Sequence, residues 1–176
     1  MPTNDDMELA GVIGGIAGAL FAAPSLQDKQ LLEEAKKMKS VFETRKSRLG
    51  SIPVAFEKDI TIFRNIHDIY TLFGYGFFRV STILCGAVLE YALRKKFNSS
   101  EKFEKLIFQA KDSNIIDEKE YHYLHGIKHA RNTIHDLNKD VNEHDALIAI
   151  NVTKNILEKI MPFMDPARFE LATSTV

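Results

Sequence analysis

Phe77-Phe78-Arg79-Val80-Ser81-Thr82-Ile83-Leu84-Cys85-Gly86-Ala87-Val88-Leu89-Glu90-Tyr91-Ala92-Leu93 is the most hydrophobic long stretch of the chain. Between Val80 and Leu93 only Ser81, Thr82, Gly86 and Glu90 interrupt the apolar residues. A helix apolar nearly all round is the buried, central helix of a bundle. Arg94-Lys95-Lys96 follows and suits the helix C-terminus, where the dipole favours cations. Glu90 is the anomaly, because a carboxylate taken out of water is costly unless a partner meets it.

The segments on either side are helical too. Upstream, a helix is expected from about Glu57, with Ile60, Phe63, Ile66, Ile69 and Tyr70 on its buried face and Gly74 and Gly76 marking a joint or a close contact. Downstream, Ser100 is expected to cap a short helix to about Lys111 that carries Phe103, Leu106, Ile107 and Ala110. Asp117 with Glu120 three residues later reads as a capping box. Asn142 can cap the last helix, whose stripe is Ala149, Ile150, Thr153, Ile156, Leu157 and Ile160. No β pattern, nucleotide-binding glycine loop or internal repeat is present.

Before the bundle, Gln27 to Leu49 is rich in good helix formers, with Ser25 available as its cap and Gly50 as its stop. Its lysines and arginines read as a solvated face. Leu9 to Ala23 carries no charge, and GxxxG spacing at Gly11/Gly15 and Gly14/Gly18 suits close backbone packing. It reads first as a loosely attached helix and second as a membrane contact. Asp5, Asp6 and Glu8 argue against a secretory leader, and Pro24 cuts it too short to span a bilayer. The expected organisation is therefore 1–24 apolar glycine-rich segment, 25–53 basic helix and break, 54–162 bundle, and 163–176 unstructured tail. The fold class is all-α, a bundle of four main helices with one or two additional N-terminal helices.

A net charge of −1 leaves no global attraction to nucleic acid, so any such contact must be local. The single cysteine, Cys85, excludes an internal disulfide framework and fits a reducing cytoplasm. Lying in an apolar run, it reads as a small buried hydrophobe.

The chemistry concentrates in His129-Ala130-Arg131-Asn132-Thr133-Ile134-His135-Asp136. Tyr123, Ile127, Ala130, Ile134 and Leu137 make one apolar stripe at helical steps. Arg131 and His135, four apart, project together on its shoulder beside Leu124 and Lys128. Such a pair is either a phosphate-handling unit or a surface cation beside a half-buried histidine, and spacing alone leaves both open. One helix face forms no pocket, so two copies about a two-fold axis are expected to build one basic cleft, which makes the protein a homodimer. His122, His125 and His129 share another face at spacings of three and four, pointing away from the stripe. No carboxylate or cysteine completes them, and no metal or cofactor is expected.

Two segments together resemble a known family. Tyr75 to Arg94 looks like the "tyrosine-glycine-aromatic, apolar run, Leu-Glu, Leu-Arg" helix of HEPN-like proteins, above all of the branch found beside restriction enzymes. Arg131-Asn132-Thr133-Ile134-His135 looks like the Arg-Asn…His motif on a later helix of the same bundle. The resemblance covers roughly residues 57 to 161. It implies a HEPN-like bundle and an RNA-directed protein, commonly dimeric, acting as a metal-independent ribonuclease of a defence or toxin–antitoxin system. His135 would then act on the ribose 2′-hydroxyl, Arg131 would hold the phosphate, Asn132 would position one of them and Glu90 would orient Arg131. An antitoxin or other defence-system partner is implied as well. The usual motif has four or more residues between arginine and histidine, and here there are three. The alternative is a catalytically inactive HEPN-like module that binds protein, nucleotide or RNA.

Overall fold

The computed structural model describes residues 26–132 and 140–161. These contain six α-helices and no strand. The helices are α1 (Leu26–Ser47), α2 (Ile60–Gly74), α3 (Phe78–Phe97), α4 (Phe103–Asp112), α5 (Glu118–Asn132) and α6 (Glu143–Ile160). The fold is all-α. The chain divides into two compact units, Met1–Ser40 and Val41–Val176. Of the first unit only the leading part of α1 is described, and α1 has no buried residue. The apolar segment Leu9–Ala23, the Ser25 cap and the tail lie outside the described residues. No described helix is long and apolar enough to cross a membrane.

In the second unit, α3 is the hub, packed against α2, α5 and α6 and also against α4. Cys85, Val88, Leu89, Ala92 and Leu93 bury its apolar residues on several sides at once. Burial pushes the Cys85 thiol up to about 12, which leaves it protonated and inert at neutral pH. Asn98 ends α3 in the left-handed conformation, φ 46°, accepting a geometry that few side chains tolerate.

The entry to the bundle differs from expectation. The residues around Glu57 form a 3-10 turn, Val54–Lys58, which buries Phe56 completely. The α-helix starts at Ile60 because Asp59 caps it, accepting hydrogen bonds from the Thr61 and Ile62 amides at 3.0 and 3.1 Å. Ile60 therefore stands exposed at the first helical position, and the buried line is Ile62, Ile66, Ile69 and Phe73, with Tyr70 beside it. The short helix α4 also lacks the expected cap. Lys102 precedes it with no side-chain bond, and Ser99 rather than Ser100 accepts a nearby amide, that of Glu101. The other two caps form as the sequence dictates. Asp117 and Glu120 accept each other's backbone amides at 2.8 and 2.9 Å, and Asn142 accepts from the Asp145 amide at 2.9 Å.

The last turns of α1 belong to this unit and are not simply a solvated basic face. Glu143, in the first turn of α6, takes Arg45 at 3.1 Å and pairs with Arg48 as well. The Phe42 ring lies so close to Gly74 that a Cβ there would come within 2.5 Å of it. Just before Gly50, φ +67°, the chain is pinned by the Leu49 carbonyl, which accepts from the Lys154 ammonium at 2.8 Å and the Tyr70 hydroxyl at 3.3 Å.

Asp59 also accepts a 2.8 Å hydrogen bond from Lys95, tying the start of α2 to the end of α3. Burial on its own would raise the Asp59 carboxyl, but the Lys95 ammonium and the two capping amides outweigh it and hold the group below its ordinary value of 3.8. A depressed carboxylate stabilises the fold above its unfolded value, and that contribution is lost as the pH falls through the folded value. Asp59→Asn should therefore cost about 1–2 kcal/mol in urea unfolding at pH 6. The gap from the wild type should shrink as the pH is taken below 3.8.

Candidate functional site

Helix α5 brings the motif to α3. Its buried residues are Leu124 and Ile127. Glu120, four residues before Leu124, has a side chain only 13% exposed, and Arg131 is the next position along the same line. The packed face is thus Glu120, Leu124, Ile127 and Arg131. The expected stripe through Tyr123 and Ala130 is rotated from it by about one residue, and those two side chains are only half-buried. They line a groove of about 310 Å³ between α5 and α6 instead. Ile134 and Leu137, the rest of that stripe, lie outside the described residues.

Gly86 is the physical reason for the rotation. A Cβ on it would stand 3.3 Å from the Arg131 Cδ and 3.3 Å from the Ile127 Cγ2. The missing side chain leaves a seat on α3 for the aliphatic stem of Arg131. One turn further along α3, the Glu90 carboxylate pairs with the guanidinium, its Oε2 accepting from Arg131 Nη1. Glu90 Oε1 meets Arg94 Nη2 at 2.7 Å. The only carboxylate within the apolar run of α3 therefore carries two arginines, one per oxygen. Its side chain is 12% exposed, whereas that of Arg131 is 35% exposed. The carboxylate is sheltered and its cation is reachable from solvent.

Around this pair opens a cleft of about 340 Å³, lined by Glu90, Arg94, Lys102, Phe103, Glu104, Lys128, Arg131 and Asn132. Four cations face two carboxylates there, so the lining carries an excess of two positive charges. Lys128 pairs with Glu104 at 2.9 Å, and that hydrogen bond holds the Glu104 carboxyl below its usual range. The arrangement can hold a singly or doubly charged anion, with arginine supplying a planar fork of donors and lysine a point charge.

Of the candidate residues, Glu90, Arg131 and Asn132 line one cleft, with Asn132 exposed at its edge. His135 lies outside the described residues, together with Thr133, Ile134 and Asp136. Sequence reasoning did not assign Arg94, Lys102, Glu104, Lys128 or Gly86 to the site. The spacing held a signal for two of them, since Arg94 is four residues after Glu90 and Lys128 three before Arg131. The histidines of α5 do not share one solvated face. His122 is exposed and lies 3.3 Å from Glu118. His125 is half-buried beside Tyr121, with ring centroids 4.5 Å apart. Burial and the neighbouring Lys128 charge lower its pKa. Among the described residues no group of three or more His, Cys, Asp and Glu side chains is placed to hold a metal ion.

Residues 68–173, more than half of the chain, match the family described as a domain of unknown function, DUF4145. The chain belongs to that family. No curated protein and no solved structure matches it. The DUF4145 segment begins within α2 and takes in α3 to α6, so Gly86, Glu90, Arg131 and the whole lining of the cleft fall inside it.

Glu90→Ala and Arg131→Ala should each destabilise the DUF4145 fold by about 1–3 kcal/mol, because each leaves a partly buried charge unmatched. In chemical denaturation the double variant should lose less than the sum, with a coupling of at least about 0.5 kcal/mol. Strict additivity would mean that the pair does not interact in solution.

Proposed function

We propose that this DUF4145 protein is an RNA-directed, HEPN-like helical bundle. Arg131 and His135 form the centre of a metal-independent endoribonuclease that works in the cytoplasm within a defence or toxin–antitoxin system. The observation that carries the reading is how Arg131 is presented. A sheltered carboxylate fixes one side of its guanidinium, while the rest faces an open cleft that also holds Lys102, Lys128, Arg94 and Asn132. That is the arrangement needed to grip one phosphodiester and absorb the charge that builds on it.

The chemistry would run without a metal. His135 takes the proton of the ribose 2′-hydroxyl, and the 2′-oxygen attacks the neighbouring phosphorus. The bond to the 5′-oxygen breaks, leaving a 2′,3′-cyclic phosphate on one product and a 5′-hydroxyl on the other, which takes up a proton from solvent. Arg131 neutralises the non-bridging oxygens, Asn132 offers an amide to the phosphate or the base, and Glu90 keeps the guanidinium in place. A homodimer that brings two Arg131–His135 units together would complete the cleft, and a dedicated antitoxin or defence partner would restrain it.

The same ion pair favours a second reading. A guanidinium clamped by a sheltered carboxylate also serves as a structural latch, and only three residues separate Arg131 from His135. The cleft would then bind RNA or a protein partner without cutting anything.

Incubating the purified protein with total RNA in EDTA separates the two. The ribonuclease reading expects cleavage that survives chelation, leaves cyclic-phosphate ends, and falls by at least a hundredfold in both Arg131→Ala and His135→Ala. Binding without cleavage supports the second reading, and neither binding nor cleavage refutes the ribonuclease and leaves only the protein-partner form of the second.

A further inference from the structure

Resting on the RNA reading of the Arg131 cleft, we infer that Phe108 on α4, buttressed by Tyr121 and His125 of α5, is a stacking platform for an unpaired nucleobase. Phe108 is 46% exposed, although its ring belongs to an ordered aromatic cluster. Its centroid lies 5.6 Å from that of Tyr121 and 5.9 Å from that of His125. Tyr121 is already committed on its other contacts. The Lys111 ammonium sits 4.3 Å from its ring centre, and His125 packs edge-on against it at 4.5 Å. Phe108 therefore offers the accessible aromatic surface, and the other rings hold it in orientation.

Position on the helices links this platform to the cleft. Glu104 and Phe108 are four apart on α4, and His125, Lys128 and Asn132 follow each other by helical turns on α5. The Glu104–Lys128 pair, which lines the cleft, is thus the next layer after Phe108 and His125. At 1.5 Å rise per residue, His125 and Arg131 are about 9 Å apart along the helix axis, within reach of a short run of single-stranded chain. Lysines flank the rings at both ends, Lys111 paired with Glu118 at 2.6 Å and Lys128 with Glu104 at 2.9 Å. A flat apolar surface next to a cleft with two excess positive charges suits a base whose backbone phosphate reaches that cleft. It does not suit a duplex, whose bases are stacked on each other and turned inward. The predicted ligand is single-stranded RNA with one base on Phe108 and a phosphate at Arg131.

The test uses the full chain and a short, labelled 2′-O-methyl oligoribonucleotide, which binds but offers no 2′-hydroxyl for cleavage. Affinity is read by fluorescence anisotropy against the same oligomer with abasic sites and against its duplex. Wild type should prefer the single strand. Phe108→Ala should weaken that binding about tenfold or more and leave the abasic oligomer unchanged, while Phe108→Trp should keep or strengthen it. If wild type binds the single strand and Phe108→Ala binds it equally well, the platform is wrong and the cleft reading stands. An equal loss on the abasic oligomer would show a merely structural role and overturn the platform too. A wild type that binds no RNA at all removes the RNA reading, and the platform with it.

Discussion

The bundle depends on how one carboxylate is kept inside an apolar helix. Glu90 sits among Leu89, Ala92 and Leu93 on α3, where an unpaired charge would carry a desolvation penalty large enough to threaten the fold. Two arginines resolve it, Arg94 from the next turn and Arg131 from α5. The solution constrains the rest of the molecule. Arg131 must lie on the packed face of α5, Gly86 must stay without a side chain to seat it, and α5 must rotate so that Tyr123 and Ala130 turn towards the α5–α6 groove. A buried ion pair of this kind adds little net stability over an apolar pair, but removing one partner is costly.

A second polar tie follows the same logic close by, at the C-terminal end of α3. Asp59 caps α2 and binds Lys95 of α3, so one side chain both starts a helix and fixes it to the hub. Glu143 does comparable work for the end of α1 by holding Arg45 and Arg48. These charges mark junctions between helices, where apolar stripes alone leave rotation and register loosely defined.

This division explains what was legible in the sequence. The all-α class and the hub helix were legible because a long apolar run at helical period has few alternatives, and the caps at Asp117 and Asn142 were legible because they use short-range hydrogen bonds. The need of Glu90 for a partner followed from burial alone. The rotation of α5 was not legible, since its composition offers two nearly equivalent stripes. What chooses between them is the gap above Gly86, a tertiary fact. The start of α2 was misread because the 3-10 turn over Val54–Lys58 carries helix-forming residues, and Asp59 interrupts them only through a local hydrogen-bonding choice. Lys102 and Glu104 reach the cleft from α4 and its approach, which no pattern along the chain connects to Arg131.

Arg131 is the partner of Glu90 and, in the proposed function, a phosphate ligand as well. The most direct measurement is the salt dependence of single-stranded RNA binding in wild type and in Arg131→Lys. Each phosphate contact contributes roughly 0.7 to the slope of log affinity against log salt for a single strand. The two excess positive charges of the cleft predict a wild-type slope of about 1.4, and lysine keeps the charge but loses the fork. The variant should show a nearly unchanged slope with a clearly weaker affinity at every salt concentration. An affinity indifferent to the substitution, or binding without salt dependence, would contradict it.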